Sequence, residues 1–101
     1  MNPLLTTVVT EVTTEFGSRL SIVLGSTRGS AEDARVRAIA MHVYRDLAPE
    51  KRPTLTGLGL AFGRDRTTVR HAITRVQSWI CNEQDFVIRL MVVKDRVKAR
   101  Q

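Results

Sequence analysis

One cysteine in 101 residues has no partner to bond with. Cys81 therefore excludes an internal disulfide and any multi-cysteine metal site, and it is expected to be a buried packing residue. The two histidines, His42 and His71, are singletons, and no His/Cys/carboxylate cluster has metal-ligand spacing. The acids fall mostly where helices begin, which capping explains without catalysis. A Gly-x-x-x-x-Gly-Lys-Ser/Thr run is missing, which excludes a phosphate-cradling ATPase loop in this chain. No apolar run approaches the roughly 18 residues of a membrane span, and nothing resembles a signal peptide. These absences predict a soluble, cytoplasmic protein that is not an enzyme. It is expected to have no metal, no cofactor, no small-molecule substrate and no membrane partner.

Acidic residues are also in the minority. Ten Asp and Glu stand against 16 Lys and Arg, giving a net charge of +6 and a pI near 10.7. Such a balance favours an anionic partner, nucleic acid before membrane. The excess is concentrated, with ten basic residues and five acids between Arg28 and Arg75. Thirteen of the basic residues are arginines, whose planar fork suits phosphate and guanine. There are no repeats, low-complexity segments or linkers. The length suits one domain with one core, so residues 1–101 are read as a single unit.

The chain reads as five to six short helices and no strand. Asn2-Pro3 suits a helix opening, and Leu5, Val8, Val9, Val12 and Phe16 follow at helical spacing. Threonine and valine favour a strand there, but the spacing favours a helix ending at Gly17. A short helical turn is expected from Arg19 to Leu24. Ser30 with Asp33 approximates a capping box for a helix that places Val36, Ile39, Ala40, Val43 and Leu47 inward. Arg35, Arg37 and Arg45 are expected to project from its other faces. Residues 49–53, with prolines at both ends, form a stiff basic connector. Near the end, Asn82 and Asp85 suggest a new helix start. Phe86, Leu90, Val93 and Val97 would then face inward, and Arg89, Lys94, Arg96 and Lys98 would face water.

The most informative stretch runs from Thr54 to Val76. Thr54 caps a short helix that carries Leu55, Leu58, Ala61 and Phe62 and ends at Gly63, the residue suited to a left-handed exit. Asp65 stands where the N-cap of a second helix belongs. That helix places Val69, Ala72, Ile73, Val76 and Ile80 on one face. Arg66, Thr67, Arg70, His71 and Thr74 remain for the flank and the other face. Two helices, a small-residue turn and a basic, hydroxyl-rich front make a helix-turn-helix.

The run Leu58-Gly59-Leu60-Ala61-Phe62-Gly63-Arg64-Asp65-Arg66-Thr67-Thr68-Val69-Arg70-His71-Ala72 resembles the signature of the fourth, DNA-binding domain of the bacterial replication initiator DnaA. Upstream, Ala34-Arg35-Val36-Arg37-Ala38-Ile39-Ala40-Met41 resembles a second helix of that domain. The resemblance covers nearly the whole chain in the same order. It implies an all-α, Trp-repressor-like fold and double-stranded DNA as partner. It places Asp65, Arg66, Thr67 and Arg70 near base edges, with Leu55 and Thr56 approaching thymine methyls. Arg35, Arg37, Arg45, Arg64 and Thr68 match or neighbour phosphate-contacting positions. Arg28, the one basic residue in the glycine-serine loop, is either a minor-groove contact or a solvated loop residue.

Two departures bear on the target. The family histidine after Asp65 is Arg66 here, and the turn has one glycine fewer. Arginine prefers guanine, so the preferred site is expected to differ from the initiator's A/T-rich one. Met1 and the fit of one domain to the length lead us to expect a stand-alone chain that regulates replication initiation or transcription. The alternative is a protein-interaction module that contacts the replication initiator or another regulator without reading DNA itself.

Overall fold

Six helices are present in the computed structural model, which describes residues 3–25, 30–48 and 53–100. They are α1 (Pro3–Phe16), α2 (Leu20–Val23), α3 (Ala31–Leu47), α4 (Leu55–Phe62), α5 (Arg66–Asn82) and α6 (Gln84–Ala99). No strand occurs among the described residues. Asn2, Arg28 and connector residues 49–52 lie outside them.

In α1 the competition between strand propensity and helical spacing goes to the helix. Leu4, Leu5, Val8, Val9 and Val12 are all buried on one stripe, and burial of such side chains is worth about 1.5–3 kcal/mol each. Its threonines fold their hydroxyls back onto the helix, as Thr13 does by donating to the carbonyl of Val9 at 2.8 Å. Thr13 can therefore be buried without an unsatisfied hydroxyl.

The long α3 packs against all the other helices and supplies the centre of the core through Val36, Ile39, Met41 and Val43. It starts where Ser30 and Asp33 close a reciprocal capping box, with the Ser18 hydroxyl donating to the same carboxylate at 3.0 Å. Phe62 of α4 is fully buried and meets Tyr44 of α3 edge-on at 6.3 Å. Val69, Ala72 and Val76 anchor α5. Trp79 and Phe86 close the far end with their rings 5.9 Å apart.

Three expectations are corrected. Asn82 does not cap α6, because its amide donates to the Ser78 carbonyl at 2.8 Å, and extended Glu83 makes the break between helices. Cys81 is exposed rather than buried, since it falls on the outer face of the last turn of α5. The cations of α6 do not simply face water. Arg89 and Arg96 pair with Glu15, Arg100 with Glu11 and Lys94 with Asp46, which ties α6 to α1 and α3.

Candidate nucleic-acid interface

Local chemistry fixes the turn between α4 and α5. The Thr54 side chain accepts from the amide of Gly57 and starts α4. Gly63 ends it at φ 64° and ψ 38°, a conformation that costs a side-chain-bearing residue about 1 kcal/mol or more. The Gly59 carbonyl accepts from the amides of both Gly63 and Arg64. Asp65 then accepts from the amide of Thr68 at 2.7 Å and opens α5. Hydrogen bonds from Thr68 hold the Asp65 carboxyl below the usual carboxylate range, aided by the Thr67 amide and by His71.

The outward face of α5 is cationic over its first turns. Arg66, Thr67, Thr68, Arg70, His71, Thr74 and Arg75 are exposed, and no acid occurs between Arg66 and Asn82. The guanidinium groups of Arg66, Arg70 and Arg75 have no ion-pair or hydrogen-bond partner among the described residues. Arg70, His71, Thr68 and Arg75 border one shallow depression. Thr56 of α4 borders another with Asp65 and Arg66. Asp65, Arg66, Thr67, Thr68, Arg70 and Thr56 therefore gather around the amino end of one helix.

Other expected contacts are elsewhere. Arg37 is 6% exposed and faces inward, not outward as expected. Its Nε donates to the carbonyl of Val23 at 2.9 Å and an Nη donates to that of Ile22 at 3.0 Å, so it clamps the end of α2. Burial, with the Arg64 cation nearby, pushes its guanidinium below the ordinary value, against the opposing pull of Asp33. Arg64 is half-buried and donates to the carbonyls of Gly63 at 3.0 Å and Gly25 at 2.9 Å. Arg35 lies at the opposite end of α5, paired with Glu83 at 3.1 Å and stacked over Trp79 at 4.1 Å. Arg45 borders Ile73 and Gln77, farther along α5. Leu55 is half-buried against the core, so of this expected pair only Thr56 borders the depression that Arg66 lines.

Sequence reasoning assigned no contact to Arg75. The signal was present: Thr68 and Arg75 are seven residues apart, two helical turns, and so share a face. Among the described residues no group of His, Cys, Asp and Glu is placed to hold a metal, and no helix is long and apolar enough to cross a membrane.

The sequence pattern described as bacterial dnaA protein helix-turn-helix matches residues 5–76. The chain is similar to the chromosomal replication initiator protein DnaA of Deinococcus radiodurans, 26% identical over 98 residues. That match covers 96% of this chain and 20% of the relative. The DnaA proteins of Rickettsia canadensis and Rickettsia massiliae are each 37% identical over 79 residues, 74% of this chain and 16% of theirs. The chain thus spans a fifth or less of the length of these relatives.

Proposed function

The chain belongs to the bacterial DnaA helix-turn-helix family, and from that premise we propose that it binds double-stranded DNA sequence-specifically through the amino end of α5. The observation that carries this reading is the set of three arginines, unpaired among the described residues, on an acid-free helix face, while arginines 35, 37 and 64 are engaged within the fold. The α5 amino end brings its positive dipole and first amides toward phosphates as it enters the major groove. Asp65 accepts from a cytosine amine, Arg66 and Arg70 grip guanine O6 and N7, and the Thr67 methyl packs on thymine. Thr68, Arg75 and Arg45 hold phosphates alongside. The target is a short site related to those of the initiator, with guanine in it. The process served is control of replication initiation or transcription in the cytoplasm.

Salt dependence tests this reading. Neutralising about six phosphates gives a log–log slope of affinity against salt near −5. Micromolar protein that binds no duplex at low salt would overturn it. Selection of bound duplexes from a random pool then identifies the site, and enrichment of no particular sequence would leave only non-specific binding. The rival reading, a module docking on the initiator, draws on Ile88, Met91 and Val92, which are exposed on α6. Those three side chains are a small fraction of the roughly 800 Å² per partner of a stable interface.

A further inference from the structure

The outer stripe of α4 consists of Thr56, Leu60 and Gly63 and leads to Arg66 at the start of α5. All four border one shallow depression of about 400 Å³. Leu60 differs from the other apolar side chains of this helix. Leu58 and Phe62 are completely buried, Leu55 and Ala61 pack on the core, and Leu60 is 82% exposed. One exposed leucine on a protein surface is ordinary, so its position has to carry the argument. Leu60 shares this depression with Arg66, a side chain assigned above to a base, and with Thr56 one turn back on its own helix, so an object that seats in the depression against Arg66 meets Leu60 as well.

In the major groove the apolar group on offer is the C5-methyl of a pyrimidine, since the other base-edge groups are hydrogen-bond donors and acceptors. A phosphate is the wrong neighbour for Leu60, which has no donor and would strip water from the anion without replacing its hydrogen bonds. On the premise that α5 reads DNA, we propose that Leu60 is a specificity residue that packs on a pyrimidine C5-methyl group beside the base held by Arg66. Thymine and 5-methylcytosine present the same methyl. Burying one such group is worth about fourfold in affinity.

The test uses the full chain and the duplex it enriches from a random pool. That duplex is resynthesised with deoxyuridine replacing each thymine in turn, and with 5-methylcytosine replacing each cytosine in turn. At one position the wild-type protein is expected to lose about fourfold on methyl removal, or gain as much on methyl addition. Leu60→Ala should be indifferent to the same replacement. A deoxyuridine effect identifies thymine as the source, and an effect at cytosine alone identifies 5-methylcytosine. Equal responses of both proteins at every position would overturn the proposal. So would a Leu60→Ala loss that is the same with and without the methyl. The thermal midpoint of Leu60→Ala should match wild type, because the side chain is exposed, and this separates a binding change from a folding one. If no duplex binds at all, the DNA reading fails and takes this inference with it. A defined duplex read without regard to its methyls removes this inference alone.

Discussion

The carbonyl of Gly59 accepts the amide of Arg64 at 2.9 Å, and a Cβ on Gly59 would collide with the carbonyl oxygen of that same arginine. The sharp return of the chain into α5 depends on this approach of two backbones. Gly59→Ala gains about 1 kcal/mol of helix propensity. The clash is with backbone, which cannot rotate away as a side chain can. The expected net result is a loss of about 1–3 kcal/mol in urea unfolding. A variant as stable as wild type would mean that the turn can open at little cost.

Arg37 and Arg66 should separate stability from binding. Arg37→Ala removes charged hydrogen bonds to two backbone carbonyls and is expected to destabilise the fold by about 2–4 kcal/mol. Duplex affinity of the folded fraction should stay unchanged. Arg66→Ala should leave the unfolding midpoint where it is, cost about 1–3 kcal/mol in duplex binding and relax the preference at one base pair. Chemical denaturation and a binding isotherm on each variant suffice to compare them.

Arg75 provides a check on the extent of the cationic face. It is exposed beside Thr68 and Arg70 without a partner among the described residues. Arg75→Ala should weaken all duplexes alike and reduce the magnitude of the salt slope by about 1. A loss confined to one base pair would make Arg75 a base contact instead.

The caps predict an acid-side weakness. The folded-state pKa values of Asp33 and Asp65 are depressed, chiefly by hydrogen bonds from Ser30 and Thr68 respectively. Their contribution is therefore complete above the unfolded carboxyl value of about 3.9, and it is lost as pH falls through the lower folded values. Carboxyl titration by NMR should find both groups titrating below that value, and thermal stability should fall over the same acid range. Asp65→Asn retains a capping oxygen and should remove the Asp65 part of that acid dependence, whereas Asp65→Ala should lower the midpoint at neutral pH.

By itself the sequence determined what depends on near neighbours. Asp65 caps Thr68 and Ser30 caps Asp33, each three residues away. Gly63 ends α4 in the left-handed region, and the stripe Val69, Ala72 and Val76 turns inward as its spacing requires. The family signature spans this same local stretch. The guanidinium groups were decided by tertiary structure. Arginines 35, 37 and 64 look equally basic in the chain, yet Arg37 meets Val23 fourteen positions back, Arg64 meets Gly25 thirty-nine back and Arg35 meets Glu83 forty-eight ahead. A long, flexible cationic side chain goes to whichever carbonyl or carboxylate the packing brings near. Helical periodicity gives the direction in which it leaves the backbone and not what waits there. Exposure of Cys81 and Leu60 was decided in the same way, by which helix faces the fold left uncovered.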